Sequence, residues 1–498
     1  MNFYTNFFLR GGNTYVRGVR DGIRFKEKIG VEPTLFVKSP IPTGIKSVYG
    51  DDIKPFTFDS PRDAKEFANE QAECGNPVFG YPRYEYTLID SMYEGDHVDY
   101  DYNLVNVCFL DIECESENGF PDPKVALEKV NAITCGYIVN GKYCFDSFGL
   151  GPIESARMKY TPTNYTQCQN EIDLLQKWLL WMRNFDADII TGWNVDKFDI
   201  TYLYNRFERV LGEGTFRKIS PWGMVNAREV KSMYGTDMVV EIMGIAILDY
   251  LDLYKKFTYT MQESYKLDYI ANVELGEEKL DYSEYGSLFN LYKEDYTKYI
   301  DYNIKDVELI MRLEDKKGLL KLACLIAYLG KTNYNDVFMN VRMWDVIIAN
   351  TLRKNNVQVP YKSGSKVDSQ FEGAYVKQPI AGKYKMVGSF DLESLYPSLI
   401  IQYNISPEMM VNISEHFQLT PDDILNRSSK WEEALAYATE RNYTLASNGS
   451  MYRRDEQGFL PKLMDLYFNK RKEAKTKMLQ AKKQIQEIER ILNERGEA

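Results

Sequence analysis

Hydrophobic and polar positions follow two different periods along this chain, and the change of period divides it into regions. Residues 1–105 contain short alternating runs, among them NFYTNFFLR, TYVRGVR and TLFVK, which are interrupted by Gly-Gly, Pro and Asp-Asp. This alternation predicts strands and hairpins, followed by a helix at SPRDAKEFANEQAE. Over residues 106–320, apolar runs such as NVCFLDIE and ADIITGW alternate with helical periods such as EIDLLQKWLLWMRNF. The pattern predicts a multidomain α/β protein, with a mostly β N-terminal region followed by a mixed-sheet domain.

The pattern changes again after residue 320. Residues 321–375 predict helix and then loop, and the apolar run KYKMVGSFDL predicts a strand that opens a further domain at residues 376–457. Residues 458–498 keep one helical period and predict a single long helix. Its apolar stripe, which we expect to pack against another helix, has a spacing of three and four: Tyr467, Ala474, Met478, Ala481, Ile485, Ile488 and Leu492.

Composition and charge narrow the class of protein. The 498 residues are 44% hydrophobic and 27% charged, which is typical of a globular protein of about three or more domains. No apolar run reaches the roughly 18 residues of a membrane span, and no signal-peptide pattern is found, so we expect no membrane partner and a cytoplasmic location. The net charge of −11 argues against a protein that coats DNA nonspecifically, although a locally basic DNA site remains compatible with it. Seven cysteines without CxxC spacing and only two histidines argue for reduced thiols and against a zinc site.

Acidic residues at three places are candidates for metal ligands. Asp111 and Glu113 end a predicted strand, where residues i and i+2 point to one face, so both carboxylates can reach the same metal ions. Asp199 directly precedes a helical run, where an ordinary N-cap is an equally good interpretation. Tyr302 and Asp306 are four residues apart in a predicted helix and therefore project from the same side. Taken singly, each spacing is also compatible with a purely structural role.

The order of these motifs carries more information than any one of them. DIE on a strand, NVDKFD after IITGW, and YNIKD on a helix follow one another as the three exonuclease motifs do in the family B DNA polymerases, which this sequence resembles. The resemblance continues through LDYLDLYKKFTYT and EGAYVKQPI to SFDLESLYPSLI, and it is strongest to the polymerases of T-even-type bacteriophages. It implies an N-terminal domain at 1–105 with a return segment at 321–375, a ribonuclease-H-like exonuclease domain at 106–320, a partial palm at 376–457 and the first half of the fingers at 458–498.

The resemblance implies a 3′→5′ exonuclease site with two Mg²⁺ ions, which Mn²⁺ can replace. The carboxylates that would hold these ions are Asp111, Glu113, Asp199 and Asp306. Tyr302 would orient the attacking water, and Phe120 and Asn194 match positions that contact the frayed 3′ end of DNA. Phe120 would stack on a base; the alternative is a surface aromatic that packs on the sheet.

The resemblance also implies part of a nucleotidyl-transfer site. Asp391 would bind metal, the Leu392 carbonyl would face an incoming dNTP, and the Tyr396 ring would exclude a 2′-hydroxyl. Three residues of the closing helix would bind the triphosphate, with a solvated basic face as the alternative: Arg471, Lys472 and Lys475.

The segment Tyr234-Gly235-Thr236-Asp237 superficially resembles the two-aspartate polymerase motif of the family. It contains a single aspartate, however, and lies upstream of Asp391 within the exonuclease region. Its flanks, REVKSM and MVVEIMGI, predict the strands of a β-hairpin. In related polymerases a hairpin at this place helps to move the primer end between active sites.

The sequence lacks the second pair of palm aspartates and the thumb of the family pattern. We therefore expect the N-terminal part of a DNA-directed DNA polymerase that pairs with a C-terminal chain, with a gene truncation as the alternative. Expected partners are primer–template DNA and its single-stranded 3′ end, dNTPs, that C-terminal chain and, by resemblance, a sliding clamp and the protein's own mRNA. A stand-alone 3′→5′ DNA exonuclease and a noncatalytic RNA-binding module remain as alternative functions.

Overall fold

The computed structural model describes residues 1–95, 97–115, 117, 119–232, 235–362, 376–392, 394–412 and 417–495. Tyr234, Glu393 and residues 363–375 of the predicted return segment lie outside this part of the chain. The fold is mixed α/β, as the pattern predicts, and it divides into two compact units. They are Met1–Phe36 with Pro55–Asn355, and Val37–Lys54 with Asn356–Ala498. The four finer domain boundaries given above stay predictions.

The N-terminal strands form an antiparallel sheet in chain order, as their period-two alternation predicts. The strands of this sheet are β1 (Asn2–Arg10), β2 (Asn13–Arg20) and β3 (Ile23–Gly30). The elements that follow are β4 (Thr34–Lys38), β5 (Lys46–Ser47), β6 (Ile53–Thr57), α1 (Pro61–Glu73), β7 (Val78–Phe79) and α2 (Tyr84–Met92). The predicted helix at SPRDAKEFANEQAE is confirmed as α1, and the Ser60 side chain caps it by accepting a hydrogen bond from the Asp63 amide.

A six-stranded mixed sheet is the centre of the first unit. Its strands are β8 (Val107–Cys114), β9 (Val130–Val139), β10 (Lys142–Gly149), β11 (Asn164–Gln167), β12 (Ile189–Thr191) and β15 (Ala246–Ile247), in the order β11-β10-β9-β8-β12-β15. A separate hairpin consists of β13 (Val225–Ser232) and β14 (Gly235–Ile242). The strands predicted for this hairpin are therefore confirmed.

The helices of the first unit that follow α2 are α3 (Glu171–Phe185), α4 (Thr201–Leu211), α5 (Tyr250–Phe257), α6 (Leu267–Leu275), α7 (Leu288–Glu294), α8 (Tyr296–Lys317), α9 (Leu319–Gly330) and α10 (Asn340–Lys354). Of these, α3 and α8 pack against the central sheet from opposite faces. Helix α8 begins after Asp295, whose carboxylate accepts a hydrogen bond from the Lys298 amide at 3.1 Å, and it ends at Gly318 in left-handed backbone.

The alternation along β8 sends successive side chains to opposite sides of the sheet. Leu110 and Ile112 belong to the hydrophobic core that includes Trp178 of α3 and Leu203 of α4. The odd-numbered residues Asp111 and Glu113 lie on the other face, against which α8 packs. The period-two pattern therefore places the carboxylates of Asp111 and Glu113 on the face of β8 that meets α8.

The second unit contains shorter elements and one long helix. Its elements, besides β5, are β16 (Val357–Gln358), α11 (Leu395–Tyr403), α12 (Pro421–Leu425), α13 (Ser429–Glu440), β17 (Tyr443–Leu445), β18 (Met451–Arg453) and α14 (Phe459–Arg495). The long helix predicted from residue 458 is confirmed as α14. Among the described helices of the chain, none has the length and apolar character that crossing a bilayer requires.

The prediction of a strand at KYKMVGSF is wrong. Residues 383–390 are described and form no strand, and the side chains of Met386, Val387 and Phe390 are exposed. An isolated strand gains nothing from its apolar residues, because its backbone groups need a neighbouring strand and its side chains need a core. No described strand of the second unit pairs with this segment.

Candidate functional site

Three carboxylates meet between β8 and α8, those of Glu113 and Asp306 buried and that of Asp111 half-buried. One oxygen each of Asp111, Glu113 and Asp306 lies within 4.8 Å of the other two. Asp111 and Glu113 come from one face of the strand and Asp306 from the helix, as the i, i+2 and helical spacings predict. The structure thus brings together residues that are nearly 200 positions apart in the sequence.

The proximity of these carboxylates changes their protonation. Burial first, and then the negative charge of Asp306, raises the pKa of Asp111 to about 8. Burial and the charge of Asp111 likewise raise the pKa of Glu113. Negative charges that lie close together away from water repel one another strongly, so this cluster favours the binding of either protons or a cation.

Asp199 lies beside this cluster but not inside the group of three. It belongs to a π-helical turn, Asp196–Ile200, and its Oδ1 accepts a hydrogen bond from the Ile112 amide at 3.0 Å. Burial and then the charge of Asp111 raise its pKa. The N-cap interpretation is wrong, because α4 starts at Thr201, two residues after Asp199, with Ile200 at the N-cap position and no side-chain cap.

Lys279 is a site residue that the sequence did not indicate. Its ammonium group donates to the Tyr302 hydroxyl at 3.1 Å and to the carboxylate of Asp306. Burial alone would lower the pKa of Lys279, but the charges of Asp306, Tyr302 and Asp111 raise it well above its usual range. Lys279 lies in an irregular segment between α6 and α7, so no periodic spacing connects it with the helix that it contacts.

Asn303 is the second residue that the sequence did not indicate. Its side-chain amide donates to Oδ2 of Asp111 at 2.6 Å and so holds this carboxylate toward α8. Asn303 directly follows Tyr302, within the matched motif YNIKD. That position is the only signal that could have identified it.

The cluster suits a divalent cation. Oδ1 of Asp306 is buried and accepts no hydrogen bond within the described part of the chain. An unpartnered buried carboxylate oxygen is costly, and its neighbours are further carboxylate oxygens, the ligands that hard cations such as Mg²⁺ prefer. The residues present therefore fit the metal that the sequence motifs imply.

Phe120 and Asn194 border the same place. The Phe120 side chain is 85% exposed, and its ring centroid lies 5.0 Å from that of Phe198, the residue before Asp199. Asn194 has left-handed backbone, and its amide donates to Asp249 Oδ1 at 3.1 Å. Phe120 thus packs against a ring at the site and still presents most of its surface to solvent, which leaves room for both interpretations made from the sequence.

Asp249 fixes the turn that carries Asn194 and Asp199. Its carboxylate accepts hydrogen bonds from the amides of Asn194, Asp196 and Leu251. Burial, followed by the charge of Asp252, nevertheless raises the pKa of Asp249 to about 7. This one side chain therefore links the start of α5 to the segment that follows β12.

The residues assigned to nucleotidyl transfer lie in the second unit. Asp391 and Leu392 are exposed and precede α11, and Tyr396 in the first turn of α11 is 76% exposed. Helix α11 packs against α14. The triphosphate candidates on exposed positions of α14 are Arg471, Lys472 and Lys475.

Comparison with known proteins finds two matching family models. Residues 82–270 match "DNA polymerase family B, exonuclease domain", and residues 339–498 match "DNA polymerase family B". The chain is 32% identical to the DNA-directed DNA polymerase of Escherichia phage RB69, over 99% of this chain and 56% of that protein. It is 31% identical to that of Enterobacteria phage T4, over 98% and 55%. A DNA polymerase delta catalytic subunit of Schizosaccharomyces pombe is 26% identical over 74% of this chain. The chain spans about half the length of its phage relatives.

Proposed function

Because this chain belongs to the family B DNA polymerases of the T-even phage type, we propose that its first unit is a 3′→5′ exonuclease that proofreads DNA. The single observation that carries this proposal is the group of Asp111, Glu113 and Asp306 within 4.8 Å. A phosphodiester hydrolase that uses metal ions requires several carboxylates that face one common point, and the strand and the facing helix supply them here.

Two Mg²⁺ ions, or Mn²⁺ in their place, would be held by the three clustered carboxylates together with Asp199. When bound, such ions supply an activated water and stabilise the leaving 3′ oxygen. Asn303 keeps Asp111 oriented through its hydrogen bond, and the Ile112 amide keeps Asp199 oriented in the same way. The carboxylate positions are therefore set before any cation enters.

Tyr302 and Lys279 have separate tasks in this proposal. Burial raises the pKa of Tyr302, so its hydroxyl stays protonated at neutral pH. Because Tyr302 accepts a hydrogen bond from Lys279, its own proton is available to a water or to a phosphate oxygen. Tyr302 thus orients the nucleophile as a donor and does not act as a base, while Lys279 keeps a positive charge near the phosphate that is cleaved.

Phe120 and Asn194 would hold the 3′-terminal nucleotide. An exposed ring backed by a second ring, as Phe120 is backed by Phe198, can stack on any base without reading its sequence. Proofreading needs this tolerance, because the base to be removed is an incorrect one of any kind.

We propose the polymerase role for the second unit. Asp391, the Leu392 carbonyl and Tyr396 would face an incoming dNTP, and the basic residues of α14 would bind its triphosphate. Transfer through two metals requires at least two carboxylates, and the matched motif supplies Asp391. A C-terminal polymerase chain, a sliding clamp and the protein's own mRNA remain expected partners of this unit.

A gel assay of the full chain tests both parts of the proposal. The substrate is a 5′-labelled primer on a template, with a 3′ mismatch, in Mg²⁺ and dNTPs. We expect shortening of the primer, and its loss in the Asp111→Ala/Glu113→Ala variant while DNA binding in Ca²⁺ is retained. Equal shortening by this variant would overturn the exonuclease assignment, and extension by the chain alone would overturn the need for a partner.

A stand-alone exonuclease is the second candidate. The carboxylate set of the first unit is assembled, whereas Asp391 and Tyr396 are exposed and the strand expected before them is not formed. Full shortening without any gain of synthesis on adding C-terminal polymerase fragments would favour it. Retention of RNA binding, without hydrolysis by the wild-type chain, would favour a noncatalytic RNA-binding module.

A further inference from the structure

The loop between α5 and α6 presents two large apolar side chains to solvent. Tyr259 is 97% exposed and Met261 is 89% exposed, which places them among the most exposed large hydrophobic residues described. Neither residue belongs to the carboxylate cluster, and neither is among the site residues named above. Contact of such large apolar groups with water is unfavourable. Two of these side chains, two positions apart, form a small apolar surface.

This loop is held in place at several points. The Trp193 indole donates to the Tyr265 carbonyl at 3.0 Å, and the Thr258 amide donates to the Tyr254 carbonyl at 2.9 Å. The Gln262 amide also donates to the Tyr265 hydroxyl at 3.4 Å. The outward position of Tyr259 and Met261 is therefore a property of an anchored loop.

The loop borders the proposed exonuclease site at both of its attachments. Trp193, to which it is bonded, directly precedes Asn194 and the turn that contains Asp199. At its other end it leads into α6, where the Asp268 carboxylate accepts a hydrogen bond from the Lys279 amide at 2.8 Å. Lys279 in turn contacts Asp306. The loop that carries Tyr259 and Met261 is thus linked by hydrogen bonds to the segment that precedes Asp199 and, through the start of α6, to Lys279.

The charge of the segment suits a phosphate backbone. Residues 255–266 contain three lysines and one glutamate. Lys255 is exposed, with its ammonium group 5.1 Å from the centroid of the Tyr265 ring, and Lys266 is exposed at the start of α6. Sites for single-stranded nucleic acid combine cations near the phosphates with exposed aromatic rings on which bases stack, and this segment offers both.

We propose that Tyr259 and Met261 form a stacking platform for the single-stranded DNA that leads to the exonuclease site, with Lys255 and Lys266 near its phosphates. This inference rests on the proposed function and names the part of the substrate that this surface binds. The platform contacts nucleotides upstream of the one that is cleaved. It therefore adds affinity for a strand of several nucleotides and does not take part in the hydrolysis itself.

The test compares the full-length wild-type chain with Tyr259→Ala and Met261→Ala, singly and together. Binding of a 5′-fluorescein-labelled (dT)12 is measured by anisotropy in Ca²⁺, and hydrolysis of (dT)12 and of the dinucleotide dTpdT is measured in Mg²⁺. We expect the double variant to raise the Kd for (dT)12 by about tenfold, the scale of one lost base stack. Hydrolysis of dTpdT should stay at the wild-type rate, because the proposed platform binds upstream nucleotides that a dinucleotide does not contain.

Two controls make the result specific. Tyr259→Phe keeps the ring and should bind (dT)12 as the wild type does, and Val341→Ala removes a side chain of α10 that is 85% exposed and should change nothing. Wild-type binding by the double variant would overturn the platform, and so would an equal loss on dTpdT. Absence of hydrolysis by the wild-type chain would overturn the proposed function instead, while the Ca²⁺ binding data would still decide the platform.

Discussion

At the scale of single residues, the principal feature is the electrostatic repulsion among the carboxylates of Asp111, Glu113 and Asp306, which lie within 4.8 Å of one another. The charge of Lys279 offsets part of this repulsion, and without a cation the rest is relieved by taking up protons. Burial and the charge of Asp306 raise the pKa of Asp111 to about 8. The stability of the metal-free protein should therefore depend on pH through this group.

The sign follows from proton binding. Between the ordinary aspartate pKa of about 4 and the raised value, the folded state binds more protons than the unfolded state, so stability is lost as pH rises. We expect the Tm of the EDTA-treated protein to fall between pH 6 and pH 8, and to fall less steeply in Asp111→Asn. Mg²⁺ should raise the Tm of the wild type most at pH 8. Asp59→Asn, at an exposed aspartate, is the control, and an unchanged slope in Asp111→Asn would contradict the argument.

Lys279 offers a second prediction at this scale. Lys279→Met removes the positive charge beside Asp306 and Tyr302 but keeps most of the length of the side chain. We expect single-turnover hydrolysis of a mismatched primer to slow by about 10²-fold, the usual effect of removing one preorganised electrostatic partner. Lys279→Arg should retain more activity than Lys279→Met. Lys142→Met, at an exposed lysine, is the control, and wild-type rates in Lys279→Met would rule out a catalytic contribution.

At the scale of elements, the site depends on how closely α8 approaches the central sheet. A Cβ at Gly136 of β9 would lie 2.5 Å from Val307 Cγ1 and 2.8 Å from Met311 Sδ, both on α8. An added Cβ would therefore force α8 or its side chains to shift, and Val307 directly follows Asp306 on this helix. We therefore expect the packing of α8 at Gly136 to affect the distance between Asp306 and Asp111.

Gly136→Ala should push α8 away from the sheet. We expect a loss of about 1–3 kcal/mol in stability from overpacking. Hydrolysis should fall by about 10²-fold, because a displacement of about 1 Å separates the carboxylates. Gly30→Ala, where an added Cβ meets nothing within 4 Å, should change neither property. Normal hydrolysis in a destabilised Gly136→Ala variant would show that helix position and site geometry are independent.

The elements also show where pattern reasoning succeeds and fails. It identified β8, α3 and α14, since each has a regular period over many residues. It failed at residues 383–390, where an apolar run has no partner strand and stays irregular. The difference is physical: a helix satisfies its own backbone groups, whereas a strand depends on a neighbour that its own sequence does not specify.

At the scale of the whole molecule, the chain consists of two compact units with separate cores. The second unit has a small core of its own: Val411, Leu419, Ala434, Ala438, Leu445 and Met451. All four proposed exonuclease carboxylates belong to the first unit. Unfolding should therefore depart from a single two-state transition.

Differential scanning calorimetry tests this separation. We expect at least two transitions, with Mg²⁺ raising the temperature of only one by binding its folded state. Gly136→Ala should lower that same transition. Met451→Ala, which leaves a cavity in the second core at a cost of about 2–5 kcal/mol, should lower the other. A single transition that responds to Mg²⁺ and to both variants would contradict two independent units.

The sequence by itself determined which residues share a face: Asp111 with Glu113 on a strand, and Tyr302 with Asp306 on a helix. It could do so because the periods of strand and helix are local properties of the backbone. Only the tertiary structure decided that β8 meets α8 and that Lys279 and Asn303 join the carboxylates. It also decided that Asp199 accepts from the Ile112 amide and does not cap α4. Contacts between residues far apart in the chain depend on how whole elements pack, and no spacing within one element records that packing.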